Sequence, residues 1–329
     1  MSTASTTLPS AGPVAGSRSF LSRLREGDKI ARLITFLFAA SVVLITILLV
    51  FELWQGSVLP RHKFGFAFFR TSVWDPVFEQ FGALPFIYGT LVTSAVALLI
   101  AVPLGIGAAI FLAELAPARV SDTLEFFIDL LAAVPSVIYG LLGVFIVVPL
   151  MRQYIQPALK DALGFLPLFK GPAYGLGFLT AGIVLAIMVI PYIISVSREV
   201  LLSVPRDQRE AALALGSTRW ESTWKVVVPF ARSGIMGSIF LALARALGET
   251  MAVSMVIGNA PTISASLFSP GDSIASVIAN QFSEATGELY TQSLIELGLV
   301  LFLLTFMLNG LARILILATS QRGSGMGNA

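Results

Sequence analysis

The chain has 329 residues, 56% of them hydrophobic and only 12% charged. A soluble domain carries about 25% charged residues, and the apolar residues here come in long uninterrupted runs, so a soluble globular protein is excluded and the chain reads as an integral membrane protein. It has no cysteine, one histidine (His62, beside Arg61 and Lys63) and a formal net charge of +2; disulfides and thiolate metal sites are excluded, and a structural zinc site has no ligands to draw on.

Residues 1–32 are rich in Ser, Thr, Ala and Gly and then turn basic. They read as a tail, disordered to about Ser19. A bilayer core of about 30 Å takes roughly 20 apolar helical residues. Six runs reach that length: Leu33–Leu53, Ile87–Leu112, Phe126–Leu150, Leu176–Ser197, Ile235–Ile257 and Leu294–Leu317. The first is too long for a signal-peptide core and no A-x-A site follows it, so it is expected to stay as an anchor. The connection Gln55–Phe86 carries Phe64, Phe66, Phe68, Phe69 and Trp74 and is expected to lie along the membrane interface. Met151–Gly175, with Pro157, Pro167 and Pro172, has room for a short amphipathic helix, and the serine-rich Gly258–Gln292 reads as a solvated loop. Pro103, Pro135, Pro149 and Pro191 fall inside apolar runs and are expected to kink them. Gly105, Gly107, Gly140, Gly143, Gly177 and Gly182 permit close helix approach. The expected fold is an all-α polytopic membrane protein, with six transmembrane helices over 33–318 and a second tail over 319–329.

Orientation follows from the basic residues in the connections. One side would hold Arg18, Arg23, Arg25, Lys29, Arg32, Arg119, Arg198, Arg206, Arg209, Arg219, Lys225, Arg232, Arg313 and Arg322. The other would hold Arg61, Lys63, Arg70, Arg152, Lys160 and Lys170. Both termini and the loop 198–232 are therefore expected in the cytoplasm. That loop divides into two short helices. Pro205 suits a first helical turn, and the run to Leu215 is rich in Ala and Leu, both strong helix formers. Gly216 sits where a helix ends in the left-handed conformation. Thr218 with Glu221 reads as a capping box, and Pro229 limits the second helix. The first helix is expected to expose Ala211, Ala212 and Ala214 between Arg206, Asp207, Arg209 and Glu210. A face of small residues can enter a cleft; a helix packed only on its own bundle is the plainer alternative.

Glu210-Ala211-Ala212, followed by Gly216 and then Pro229, resembles the EAA loop of the ATP-binding cassette (ABC) importer permeases. Longer stretches are similar to the phosphate branch of that family: FIYGTLVTSAVALLIAVPLGIGAAIFLAELAP (Phe86–Pro117), LLAAVPSVIYGLLGVFIVVP (Leu130–Pro149) and ALARALGETMAVSMVIGN (Ala242–Asn259). The resemblance runs from about Gly27 to Thr319. It implies the ABC type I importer permease fold, with the loop residues Arg209, Glu210, Ala211, Ala212 and Gly216 carrying a coupling helix into a separate ATPase. The implied partners are a second, similar permease subunit, an ATPase dimer, an extracytoplasmic phosphate-binding protein and the lipid bilayer of a bacterial cell membrane.

Arg245 and Glu249 lie inside the fifth run, four residues apart. A charge at the bilayer centre costs roughly 2.5–3.5 kcal/mol on insertion scales, so these groups face a partner or an aqueous path. On one uninterrupted helix they would share a face and could form a structural pair. Alternatively, Arg245 meets an anion, its planar fork of donors matching phosphate oxygens, while Glu249 keeps that binding weak or gates it. The resemblance implies a transport role for both, at positions matching the family's R-A-L-G-E stretch. Glu52, Glu114, Glu125 and Asp129 read as charges near helix ends. No G-x-x-x-x-G-K-[ST] loop occurs, so ATP hydrolysis belongs to another chain. No cofactor, metal or nucleic-acid site is expected. Alternatives within transport are a secondary anion transporter and a permease for another oxyanion such as sulfate; outside it, a membrane scaffold.

Overall fold

The computed structural model describes residues 17–324, with side chains over 31–314. The expected disorder before residue 17, and the last part of the 319–329 tail, lie outside the described residues. Residues 17–32 and 319–324 continue the helices beside them. Cα packing divides the chain into two units, 1–52 and 53–329. The first is made chiefly of α1 (Ser17–Gln55). The second begins with α2 (Val58–Phe64), a 3₁₀ turn (Gly65–Phe69) and a two-residue hairpin, β1 (Trp74–Asp75) with β2 (Gln80–Phe81). It continues through α3 (Leu84–Ile110), α4 (Ala118–Ala132), α5 (Ser136–Leu142), α6 (Val148–Leu150), α7 (Gln156–Leu163), α8 (Phe178–Leu202), α9 (Arg206–Ala214), α10 (Arg219–Ser222), α11 (Val228–Gly248), α12 (Met251–Ser254), α13 (Ile274–Gln281) and α14 (Glu288–Ser324). Backbone polar groups have no water to pair with in hydrocarbon, so apolar runs close their hydrogen bonds as helices. Among the described residues, six stretches are long and apolar enough to cross a membrane: Ala31–Gln55, Leu84–Leu115, Ser136–Leu163, Phe178–Leu202, Arg219–Gly248 and Glu288–Ile314.

Two of these depart from the expected runs. Residues 126–132 belong to α4, not to the third span. Charges at Asp122, Glu125 and Asp129 keep that helix amphipathic, and the chain breaks at Ala133–Pro135 before the span begins. The span then runs on to Leu163, past Pro149 and Pro157. It does so through π-helical turns, Gly143–Val147 and Met151–Ile155. Two more occur at Phe111–Leu115 and Thr223–Val227. Each of the four ends two residues before a proline: Pro117, Pro149, Pro157 and Pro229. Proline has no N–H, and its ring strikes the carbonyl four residues back. At Pro149, Pro157 and Pro229 a wider i→i+5 turn moves that carbonyl aside, whereas at Pro117 the helix ends, Ala116 being extended. Pro229 therefore does not end the second loop helix as expected; α10 continues through the π turn into α11 as one span.

The centre of the second unit is the contact between α3 and α8. A Cβ on Gly182 would lie 2.4 Å from Val96, and one on Gly105 would lie 2.7 Å from Ile193. These two glycines set how closely the helices approach, whereas Gly107 faces open space. Around them Ala97, Ala101, Leu185, Met188 and Val189 are fully buried. The aromatic connection divides: Phe66 is exposed, while Phe68 and Trp74 turn inward. Phe68, Trp74, Phe81 and Phe86 form their own core against α13 and α14, and Trp74 Nε1 donates to Gln281 Oε1 at 2.8 Å. Only an internal partner for the indole N–H permits such burial. Nor is 258–273 a solvated loop. It folds back between the spans, where Phe178 and Leu179 donate their N–H groups to Ser269 and Leu267, and residues 271–277 are buried.

Candidate functional site

α11 enters from the loop side and stops at Gly248. Glu249 is extended (φ −70°, ψ 129°), and a new turn, α12, starts at Met251. The expected single helix over Ile235–Ile257 is therefore broken, and Arg245 and Glu249 do not share a helical face. They form no ion pair. Glu249 instead accepts the N–H of Ala252 at 3.3 Å, which ties its carboxylate to the first turn after the break. Arg245 lies in the last turn of α11, three residues before the end of the span Arg219–Gly248.

Arg245 has a built environment and no counter-charge. Its Cζ lies 4.0 Å from the centroid of the Tyr192 ring. Tyr192 donates its hydroxyl to Ala132 O at 3.1 Å, and Tyr139 donates to Leu131 O at 2.7 Å. The carbonyls at the end of α4 lack the i+4 partners of a helix interior: Ala132 O takes the Tyr192 hydroxyl, and Leu131 O takes the Tyr139 hydroxyl beside the Val134 N–H. Cation–π contact between two half-buried groups is worth about 1 kcal/mol. The position in the last turn of α11 also favours a cation through the helix dipole. Yet the half-buried guanidinium makes no hydrogen bond to the protein, and its Nε is fully buried without a partner. The four N–H donors of its two terminal nitrogens have no protein acceptor and can meet an anion. Neither tyrosine was legible as part of this site: Tyr139 and Tyr192 are 53 residues apart, and only the break after α4 brings them together.

The loop forms as expected, with one correction. Gly216 has φ +87° with open space around it. Its N–H reaches Leu213 O and that of Ser217 reaches Ala212 O, the paired bonds of a Schellman ending. Thr218 and Glu221 form the capping box. Ala212, however, is only 7% exposed: it faces its own bundle, while Glu210, Ala211 and Ala214 face outward with Leu213 and Leu215. Arg209 also turns inward. It holds Glu114, with Nη2–Oε1 at 2.8 Å, and donates to Leu201 O at 2.7 Å and to Val204 O just after α8. A second clamp joins Arg198 to Glu125 and, at 3.2 Å, to Ser121 on α4. Asp129 accepts from Ser195 at 3.0 Å. Glu114 stands at the end of its span as expected, and Glu114, Glu125 and Asp129 each also have a partner on another element.

Six membrane-crossing stretches, one of them broken beside a bare guanidinium, and a clamped helical loop define a polytopic permease subunit. Residues 101–321 match the family model for the binding-protein-dependent transport system inner membrane component. The chain is 49% identical over 294 residues to the phosphate transport system permease protein PstC of Xylella fastidiosa (strain Temecula1), covering 87% of this chain and 90% of that protein. It is 47% identical over 290 residues to the PstC of Mesorhizobium japonicum, covering 86% and 89%. Its fold is similar to a chain from the inward-facing MetNI methionine ABC transporter, with a TM-score of 0.53 at 15% identity over 75% of this chain and 99% of that one. The chain belongs to the binding-protein-dependent ABC importer permeases, in the PstC group. Such a subunit is a non-catalytic, multi-pass inner-membrane component, and it works with a separate ATPase, another permease and a substrate-binding protein.

Proposed function

We propose that this chain is the permease of an ATP-driven importer of inorganic phosphate, and that Arg245 meets the anion in the translocation path. The observation that carries the reading is a guanidinium at the end of a broken membrane helix, with no protein acceptor and stacked on Tyr192. An unpaired buried cation is costly, and a tetrahedral oxyanion offers acceptors spaced for its donor fork. Glu249 holds the break after α11 and limits how tightly the anion is retained. The names of the relatives favour phosphate over sulfate among oxyanions. Partners would be a PstA-type permease, a PstB-type ATPase dimer and a PstS-type phosphate-binding protein. Basic-residue asymmetry supports both termini and loop 198–232 in the cytoplasm. There, exposed Glu210, Ala211, Leu213 and Leu215 dock on the ATPase, while Arg209, Ala212 and Gly216 seat and shape the coupling helix.

ATP-driven closure of the ATPases would push α9. The Arg209–Glu114 clamp would pass the motion to α3 and α8, and the bundle would expose Arg245 to one side and then the other, an alternation of two packings. The test is phosphate uptake by vesicles holding the full complex. Arg245→Gln is expected to lower uptake at least about 100-fold, from roughly 3 kcal/mol of lost charge-assisted hydrogen bonding, with the complex still assembled. Undiminished uptake would remove Arg245 from the path, and uptake without ATP would sink the coupling mechanism.

A further inference from the structure

At the end of the bundle remote from the coupling loop, a cavity of about 340 Å³ opens among α2, the 3₁₀ turn after it and α14. Trp54, Phe66 and Phe69 line its aromatic side. Two charged groups also line it, and neither serves the site around Arg245. Glu296, on α14, is 2% exposed, and its Oε2 is buried without a hydrogen-bond partner. Arg61, on α2, lies with its Cζ 3.6 Å from the centroid of the Trp54 ring and spends two nitrogens on Ser57 O and Trp54 O. Its remaining nitrogen makes no hydrogen bond to the protein. Arg61 is the cation that acts on Glu296 electrostatically, yet the two do not approach within ion-pair distance.

A buried carboxylate and a guanidinium that face one cavity without meeting leave both charges incompletely matched, and burial makes that expensive. The arrangement complements a molecule carrying a negative and a positive group a few ångströms apart. Depth specifies it further. Leu59 N–H donates to Gln292 Oε1 at 2.9 Å, so α2 lies level with the turn of α14 just before Glu296. Arg61 and Glu296 therefore sit at similar depth, as do the two charges of a phospholipid headgroup lying in the plane of the membrane. From Glu296 the same face of α14 continues into the span as Leu299, Val300 and Leu303, all lining the cavity. An i, i+3, i+4, i+7 stripe of this kind is an apolar track along a helix, and it lies where an acyl chain would run.

We propose that this cavity binds an aminophospholipid of the surrounding bilayer, with its phosphodiester on Arg61, its primary ammonium on Glu296 and one acyl chain along Leu299, Val300 and Leu303. A phosphate alone would satisfy Arg61 and leave Glu296 repelled and buried. A quaternary ammonium has the charge but no N–H to donate to the carboxylate. The site therefore distinguishes phosphatidylethanolamine from both phosphatidylglycerol and phosphatidylcholine.

The complete transporter would be reconstituted in bilayers of equal parts of those three lipids, re-extracted in mild detergent, and its retained lipid weighed by mass spectrometry. Phosphatidylethanolamine should be enriched at least threefold over its share of the bilayer. Glu296→Gln should return the ratio to bulk. Leu303→Trp, which fills the acyl track and leaves both charges in place, should do the same, and it decides the matter if Glu296→Gln fails to assemble. Bulk ratios in the wild-type complex, equal retention of phosphatidylcholine, preference for phosphatidylglycerol, or an enrichment that Leu303→Trp leaves untouched would each overturn the proposal.

Discussion

The clamp between Arg209 and Glu114 joins the loop helix to the membrane helices, and it can be broken one partner at a time. Arg209→Gln removes the ion pair and the two bonds to the carbonyls of Leu201, in α8, and Val204, just after it. It leaves Glu114 with a side chain only 10% exposed and no cation. Stranding one partner of a buried pair costs 3–5 kcal/mol; because Arg209 itself keeps 20% exposure, the low end, about 3 kcal/mol, is expected. Glu114→Gln should cost less, about 1–2 kcal/mol, since Arg209 keeps both carbonyls. The double variant no longer holds a stranded carboxylate, so it should be more stable than the two single losses predict, by at least about 1.5 kcal/mol. Denaturation in mixed micelles gives these energies, and ATPase stimulation measured against uptake gives the functional side. In the reconstituted complex, Arg209→Gln should raise ATP consumed per phosphate moved, because α9 then shifts without α3 and α8. A double variant additive within about 0.5 kcal/mol, or an unchanged ratio, would refute the claim that the pair acts as one mechanical unit.

Two further outcomes follow from local structure. Gly216 has φ +87° and no neighbour within 4 Å of a built Cβ; Gly216→Ala should cost only the left-handed penalty, about 1–2 kcal/mol, and Gly216→Asn less, both read as a lowered melting temperature. A fall of several kcal/mol would show that the loop is packed there after all. Asp272, outside the spans, is raised from 3.8 to about 6, chiefly by burial, with the Ser276 hydroxyl and the Ser273 N–H pulling it partly back. A raised carboxyl favours the folded state while protonated, so its contribution is present below about pH 4 and is lost as the pH rises to about 6. The span is about 3 kcal/mol at 1.36 kcal/mol per pH unit. Asp272→Asn should remove that slope from the stability profile; equal slopes in the two proteins would count against a buried, raised carboxyl.

Run length and backbone pairing carry most of the fold. An uninterrupted apolar stretch has one way to close its hydrogen bonds in lipid, so six spans follow from composition. Their ends do not. Phe126–Leu150 is as apolar as its neighbours, but Glu125 and Asp129 answer to Arg198 and Ser195, partners 73 and 66 residues away. Those contacts pull residues 118–132 out of the span, and no local pattern records them. Prolines mislead at three of the four π turns. A local rule ends a helix at Pro229, whereas a π turn absorbs the ring at Pro149, Pro157 and Pro229; at Pro117 the rule holds, and the helix stops before it. The loop was legible down to the capping box and Gly216, because caps and left-handed endings are made by neighbours in sequence. Which alanine faces the bundle depends on the seat of α9, so Ala212 was misplaced.

The same contrast bears on the three arginines around the membrane. Arg198 and Arg209 both stand beside apolar runs, as Arg245 does, and charge alone makes them equal candidates for an anion. Their partners separate them. Arg198 has Glu125 and Ser121, and Arg209 has Glu114 and two carbonyls. Arg245 has an aromatic face and no acceptor. A protein that has matched two buried or half-buried guanidiniums with acids, using carboxylates drawn from distant helices, could match a third by the same means. Glu249 was close enough in sequence to do so, four residues on. The break at Gly248 turns it away, onto the N–H of Ala252. Leaving Arg245 bare thus requires the helix to end where it does, and the break and the unpaired charge are two parts of one arrangement. Restoring a continuous helix through Gly248 would bring Glu249 onto the face of Arg245 and fill with a carboxylate the place this fold keeps for another anion.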